Sequence, residues 1–227
     1  MEFCVLLWLN NVFITGNPMK TILCYGDSNT WGATPGTGER FAPSVRWTGV
    51  LARELGAEYR VIEEGLGGRT TVWNDPVEGR MSGKEYLVPC LDSHRPLDLV
   101  VLMLGTNDLK SRFAVSAFDI AQSAGVLVDI VQKSAAGLND GAPQVLLIAP
   151  PVVSRLSEYA EMFGDGAHAR SKQFAKYYRL IAEQYRCHFL DAAQVIVSSD
   201  VDGIHFDADQ HQKLGAAVAA RVREIFA

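Results

Sequence analysis

Short apolar runs alternate with longer amphipathic stretches along most of the chain. The apolar runs are typical of buried strands, and the amphipathic stretches have the spacing of helices that pack on a sheet. The predicted strands are 21–25, 59–63, 97–104, 145–149 and 188–190. The predicted helices are 47–55, 119–135, 167–185 and 210–226. This alternation predicts an α/β fold with a parallel five-stranded sheet and helices on both faces.

The segments outside this pattern are an N-terminal stretch and two long loops. Residues 1–18 precede the first strand, and their apolar run 4–9 has no Lys or Arg before it and no small-residue cleavage pattern after it. We therefore expect 1–18 to be an extension outside the fold and 19–227 to be one domain, with a degenerate signal peptide as the alternative for 1–18. Loops 33–46 and 152–166 are long, which favours a functional role.

Composition and charge exclude several classes of protein. The 227 residues are 48% hydrophobic and 21% charged, as in ordinary globular domains. A net charge of -5 and the lack of a basic run argue against binding to nucleic acid or to a membrane surface. The four cysteines are far apart and form no CxxC pair, which predicts free thiols and a cytoplasmic location.

Four segments carry residue types that acyl transfer needs. Ligands of open α/β sheets bind outside the carboxyl ends of the strands, so the residues that follow each strand matter most. Segments 26–30, 65–70 and 105–108 follow the first three predicted strands, and segment 202–205 lies near the end of the chain.

Ser28, in Gly26-Asp27-Ser28, is the candidate nucleophile. A serine hydroxyl becomes a good nucleophile when a neighbouring base takes its proton. The alternative is that Ser28 only caps a following helix. The sequence around it is not the Gly-x-Ser-x-Gly elbow of α/β-hydrolases, which argues against that fold.

Asp202 and His205 are the candidates for the carboxylate and the base. A turn of this spacing folds the carboxylate onto the imidazole, where it fixes the tautomer. One alternative is a surface turn with an exposed histidine. Another is a metal site built from Asp202, His205, Asp207 and His211, although the last two positions also suit the first turn of a helix.

Gly68 and Asn107 are candidates for an oxyanion hole. A glycine lets the backbone offer its N–H at close range, and an asparagine amide supplies a second donor to the developing negative charge. The alternatives are a plain turn at Gly68 and a helix cap at Asn107.

In order along the chain, these segments resemble the Ser, Gly, Asn and His blocks of the SGNH (GDSL-like) hydrolase family. Residues 26–28, Gly68, residues 105–108 and residues 202–205 are similar to the four blocks in turn. From residue 20 to the end, the chain most resembles a bacterial arylesterase/acyltransferase subgroup. The stretches similar to that subgroup are 40–43, 46–51, 61–66 and 201–206.

The resemblance implies a flavodoxin-like three-layer α/β/α fold, without a cofactor or a metal. It also implies that Ser28 attacks the ester, that His205 takes the proton and that Asp202 orients His205. The backbone N–H groups of Ser28 and Gly68 and the amide of Asn107 would hold the oxyanion. The subgroup implies cleavage of short-acyl and aryl esters, acyl transfer to alcohols and a homo-oligomer.

The substrate pocket is expected to contain Asn29, Trp31, Phe163 and Ile204. Asn29 stands where the family often has Leu, so we expect it to hold water beside the nucleophile and to favour hydrolysis over transfer. Bulky side chains favour acetyl over longer acyl groups. The small-molecule ester itself stays open, since acetylated sugars and aryl or alkyl acetates all fit.

Two other functions remain as alternatives. One is a metal-dependent hydrolase, which treatment with a chelator would reveal. The other is a flavodoxin-like binding module without catalysis, which would not react with a serine-directed organophosphate.

Overall fold

The computed structural model describes residues 19–79 and 82–227. The proposed extension 1–18 lies outside the described residues. The strands are β1 (Lys20–Gly26), β2 (Tyr59–Gly65), β3 (Leu99–Met103), β4 (Gln144–Ala149) and β5 (His188–Asp191). They pair in parallel in the order β2-β1-β3-β4-β5. This is the strand order of flavodoxin-like folds, so the predicted five-stranded parallel sheet is confirmed.

Helices cover both faces of the sheet. They are α1 (Ser28–Trp31), α2 (Trp47–Leu55), α3 (Gly83–His94), α4 (Ala117–Gln132), α5 (Ala160–Phe163), α6 (Ala167–Ser171), α7 (Phe174–Tyr185) and α8 (Ala208–Phe226). Buried side chains of α3, α4 and α7 form one core with the sheet, and those of α2 and α8 form the other. The three-layer α/β/α arrangement is therefore as predicted.

The two cores follow from the alternation of side chains along each strand. In β1, Leu23 and Tyr25 face the α3, α4 and α7 layer, whereas Ile22 and Cys24 face α2 and α8. All five residues of β3 are buried, as expected of a central parallel strand covered on both faces.

Helix α3 is the main element that the sequence pattern did not predict. Its interior contains Pro89, which normally interrupts a helix. The helix forms nonetheless, because Ser82 caps its start by accepting a hydrogen bond from the Glu85 N–H, and Leu87, Cys90 and Leu91 bury one face.

The predicted helix 167–185 is two helices, α6 and α7. The Ser171 hydroxyl donates to the His168 carbonyl at 2.9 Å and accepts from the Val153 N–H at 3.2 Å, so α6 ends where it is tied to the neighbouring loop. The predicted loop 152–166 contains the short helix α5. No helix of the described ranges is long and apolar enough to cross a membrane.

A glycine at the end of β2 lets α1 pack against the sheet. A Cβ atom on Gly65 would lie 2.1 Å from the backbone nitrogen of Trp31. Only glycine allows this approach, which fixes α1, and Ser28 at its start, above the carboxyl edge of the sheet.

Candidate active site

Ser28 begins α1, directly after β1. The helix cap is Asp27, whose carboxylate accepts a hydrogen bond from the Asn29 N–H at 2.9 Å. The alternative that Ser28 is the cap is therefore wrong. Because β1 lies between β2 and β3, Ser28 stands at the point where the order of connections reverses, the usual ligand site of such sheets.

His205 lies between Ser28 and Asp202. Its Nε2 is 3.0 Å from the Ser28 Oγ, and its Nδ1 is 2.7 Å from the Asp202 Oδ2. A carboxylate only accepts, so Nδ1 carries the proton and Nε2 is free to accept from the serine hydroxyl. Sequence positions 177 residues apart are thus joined in a hydrogen-bonded chain suited to nucleophilic catalysis.

A tight turn shapes the Asp202–His205 segment. Asp202 Oδ1 accepts the N–H groups of Ile204 and His205, both at 2.9 Å. Gly203 has a φ of +82°, a left-handed conformation that favours glycine. Burial raises the pKa of the Asp202 carboxyl, but the hydrogen bonds from His205 and from the two N–H groups outweigh burial and hold the pKa at about 2. The carboxylate is therefore charged at any working pH.

Gly68 and Asn107 line the same cavity as Ser28 and His205. Gly68 has a φ of +78°, again a conformation that favours glycine. One N–H of the Asn107 amide donates to the Arg69 carbonyl at 3.1 Å. The amide has a second N–H donor, and Asn107 lines the cavity.

Arg69 connects the loops that carry these groups, a role that the sequence analysis did not predict. Its buried guanidinium donates to the backbone carbonyls of Gly26 at 2.8 Å and Glu64 at 2.5 Å. It also lies over the ring of Tyr25, 4.2 Å from the centroid. Since the carbonyl of Arg69 holds Asn107, this one residue connects the ends of β1, β2 and β3.

The cavity in front of Ser28 has a volume of about 490 Å³. Its wall includes Trp31, Phe163 and Ile204. The structure adds Leu66, Tyr159, Met162, Glu78 and Lys110 to that wall. The cavity is therefore mainly apolar. Its polar groups are Asn107, one charged edge, and Ser28 and His205, which form a triad with Asp202.

The charged edge is an ion-pair network. The buried Lys110 ammonium is 2.6 Å from the Glu78 carboxylate and 3.5 Å from that of Asp75, and Arg112 is 2.8 Å from Asp75. Buried charges are tolerated when they are paired in this way. The pairing leaves the edge polar and without a large net charge.

Asn29 is not among the described residues that line the cavity, contrary to the expectation for the substrate pocket, while its effect on water beside the nucleophile stays a prediction. Its side chain is 2% exposed, and its Nδ2 lies 3.3 Å from the Ile204 carbonyl, to which it donates. As the second residue of α1, Asn29 points into the protein and joins that helix to the segment that holds His205.

The four residues of the metal-site alternative do not converge within the part of the chain that the structure describes. Asp207 directly precedes α8 and accepts a hydrogen bond from the Ser199 hydroxyl at 3.0 Å. His211 is fully buried, and its Nδ1 accepts from the Trp47 N–H at 3.2 Å. Both side chains therefore have structural roles.

Comparison with known proteins agrees with this geometry. The profile of the GDSL-like Lipase/Acylhydrolase family matches residues 24–213. The chain shares 45% sequence identity with an aryl esterase from M. smegmatis of known structure. The two structures superpose with a TM-score of 0.86, over 90% of this chain and 99% of that one. A carbohydrate acetylesterase from Sinorhizobium meliloti is 40% identical, with a TM-score of 0.87 over 91% and 99% of the two chains.

A further structure from Sinorhizobium meliloti, of a carbohydrate acetylesterase family member, is 35% identical. Its TM-score is 0.85 over 91% of this chain and 98% of that one. No protein with a curated description matches the chain.

Proposed function

The chain belongs to the GDSL-like lipase/acylhydrolase family, and we propose that it hydrolyses short-chain acyl esters through an acyl-enzyme formed on Ser28. It is a serine esterase of the SGNH type, as the family match and the esterase structures of 35% to 45% identity show. The acyl-enzyme route, the roles of the residues and the class of ester are the proposal.

Acylation begins at Ser28. The Oγ attacks the ester carbonyl carbon while its proton passes to Nε2 of His205, a transfer that the 3.0 Å separation supports. Asp202 holds the imidazole in the required tautomer and stabilises the imidazolium. The oxyanion accepts hydrogen bonds from the Asn107 amide and from the backbone N–H groups of Gly68 and Ser28.

The tetrahedral intermediate collapses and the alcohol leaves, taking the proton from Nε2 of His205. A water molecule then attacks the acyl carbonyl and gives a proton to Nε2, which returns it to the Ser28 Oγ as the carboxylic acid leaves. Each proton that His205 takes is therefore released within the same half-reaction.

The cavity volume carries the proposal for short acyl groups. About 490 Å³ is in the lower half of the range for small-molecule sites, and this space must hold the acyl and the alcohol parts together. Trp31 and Phe163 add bulk to its wall. The Lys110 and Glu78 edge accommodates a polar alcohol, so acetyl esters of sugars and aryl acetates are the substrates that we propose.

A series of p-nitrophenyl esters tests this proposal. We expect kcat/KM to fall progressively from acetate to octanoate, since each extra methylene in a pocket of this kind changes the barrier by roughly 1–3 kcal/mol. The same panel should include acetylated sugars, with acetate release as the measurement and Ser28→Ala as the background control. Equal or better cleavage of the octanoate would contradict the proposal for short chains.

Activity in this scheme needs no metal ion. Exhaustive treatment with EDTA should leave kcat/KM unchanged. Transfer of the acyl group to alcohols instead of water stays a prediction from the sequence.

The proposed location is the cytoplasm. Cys24 and Cys90 are buried free thiols and Cys187 is a half-buried one, which suits a reducing compartment. Cell fractionation followed by detection of the native protein tests this location, and recovery from the culture medium would contradict it.

A further inference from the structure

A second cluster of reactive side chains lies outside the triad. The Glu64 carboxylate, the Cys90 thiol and the His94 imidazole each offer an atom that lies within 4.8 Å of the other two. Glu64 is in β2, whereas Cys90 and His94 are four residues apart on α3 and so share one face of that helix. None of the three takes part in the proposed hydrolysis.

These residue types at this separation match a known coordination chemistry. Thiolate, imidazole and carboxylate are the protein ligands of zinc, bound at about 2.0–2.3 Å, which puts ligand atoms of a tetrahedral ion about 3.3–3.8 Å apart. The present separations are within small side-chain movements of those values. We propose that Glu64, Cys90 and His94 form a binding site for zinc or a similar divalent transition-metal ion.

The Cys90 thiol is the group that the ion must deprotonate. Cysteine binds zinc as the thiolate, so the ion displaces the thiol proton, which is released to solvent.

An ion reaches the cluster from the solvent side. The side chains of Glu64 and His94 are 20% and 25% exposed, while Cys90 forms the buried end of the site. Three protein ligands leave one tetrahedral position for solvent. In the present arrangement Nε2 of His94 is 2.8 Å from the Glu64 carboxylate, and the ion would take the place of the proton between them.

The nearby Arg69 guanidinium opposes a cation at this site. It donates to the backbone carbonyl of Glu64, which places its positive charge close to the cluster. A divalent ion that displaces the thiol proton adds at most one positive charge to the site. The Glu64 carboxylate, which is directly in the cluster, compensates for that charge.

Metal binding by the purified, untagged protein tests the proposal. After EDTA treatment and removal of the chelator, the protein is titrated with Co²⁺ and, separately, with Zn²⁺ in competition with a chromophoric chelator. We expect one ion per chain and a thiolate-to-cobalt charge-transfer band. Cys90→Ser should lose the charge-transfer band.

His94→Ala and Glu64→Gln test the site without altering the buried thiol. Loss of a residue that only hydrogen-bonds to a metal ligand lowers metal affinity roughly 10- to 100-fold. Loss of a ligand itself, as in these two variants, should weaken zinc binding by more than that. The matched controls are Cys187→Ser and His188→Ala, a thiol directly before β5 and an imidazole at its first residue, at the opposite edge of the sheet. Both controls should bind zinc as the unchanged protein does.

Two results would overturn the proposal. One is that the unchanged protein takes up no stoichiometric zinc or cobalt. The other is that folded His94→Ala and Glu64→Gln, checked by circular dichroism, bind as tightly as the unchanged protein. Neither result bears on ester hydrolysis, which the Ser28 variants test separately.

Discussion

At the scale of single residues, the Asn107 amide is placed to do two things at once. One N–H donates to the carbonyl of Arg69, and in the proposed mechanism the other donates to the developing oxyanion. Substitution to Ala should lower kcat by roughly 100- to 1000-fold, the usual cost of one oxyanion donor, with a smaller change in KM. Steady-state kinetics on p-nitrophenyl acetate measures both values.

The Asn107→Ala protein must also be shown to be folded, since the lost contact with Arg69 is structural. A melting temperature close to that of the unchanged protein, together with a kcat less than about tenfold lower, would contradict the oxyanion role.

Single residues also show where sequence reasoning succeeds and where it stops. Ser28 and the Asp202–His205 pair were identifiable because the four segments occur together in the order of a known family, whereas each segment alone left a structural alternative open. Asn29 was misplaced because adjacency to Ser28 along the chain does not give the direction of a side chain in the first turn of a helix. Arg69 was missed because its partners are backbone carbonyls, which no sequence pattern marks.

At the scale of elements, the loop 33–46 reaches the triad. Ala33 pairs with Arg40, and the Thr34 N–H donates to the Glu39 carbonyl at 2.7 Å, which folds the loop back on itself. At its tip, the Gly36 N–H donates to the Asp202 Oδ2 at 3.2 Å. The loop thus supplies a further donor to the carboxylate that orients His205.

Gly36→Ala should disturb this donor. The residue has a φ of +74°, which a residue with a Cβ rarely adopts, and a Cβ there would lie 2.8 Å from Val201 Cγ1, so the added strain and collision should shift the tip. Since a hydrogen bond to a charged group contributes about 1.5–3 kcal/mol, we expect kcat to fall about tenfold or more. Steady-state kinetics with p-nitrophenyl acetate measures kcat.

Gly56→Ala is the matched control for Gly36→Ala. Its φ is +77°, also a conformation that favours glycine, yet no atom of the described residues lies within 4 Å of the added Cβ, so the substitution adds backbone strain without a collision. Equal loss of kcat in the two variants would mean that the Gly36 N–H does not matter to the triad.

The elements themselves were predictable to the extent that they bury an apolar pattern. β1 and β3 are continuous apolar runs and α8 has a helical periodicity, and each was found from that pattern. α3 was missed because Pro89 interrupts the pattern and because its stability depends on the Ser82 cap and on tertiary burial, neither of which the local pattern reveals.

At the scale of the whole molecule, two buried carboxyls lie beneath the active site and oppose stability at neutral pH. Burial raises the pKa of Asp27 and of Asp108 to about 6. A carboxyl ionises at about 3.9 in the unfolded chain, so the folded state binds more protons between about pH 4 and pH 6. Stability from these groups is fully present below about pH 4 and is lost as the pH rises through 6.

Asp27→Asn should remove part of this pH dependence while keeping an oxygen that caps α1. Between pH 4 and pH 7, the free energy of unfolding should shift in favour of the variant by up to roughly 3 kcal/mol, the equivalent of two pKa units. Urea unfolding at a series of pH values measures the difference. The exposed Asp165→Asn controls for loss of a charge, and parallel curves for Asp27→Asn and the unchanged protein would contradict the account.

The fold as a whole was predictable because alternating strands and helices can be connected into a parallel sheet in only a few topologies. The shape of the cavity was not, since its wall combines α1, the loop 33–46, α5 and the charged edge at Lys110. These segments meet only through long-range packing, which the sequence does not encode in any local pattern.

The central claim is that ester cleavage passes through an acyl group on Ser28, and a covalent trap tests it most directly. The protein is treated with a fluorophosphonate and, separately, with p-nitrophenyl acetate followed by rapid acid quench, and the intact mass and digested peptides are measured. We predict one adduct per chain on the peptide that contains Ser28, none in Ser28→Ala and much slower labelling in His205→Ala. An adduct on a different residue, or labelling that persists in folded Ser28→Ala, would contradict the account.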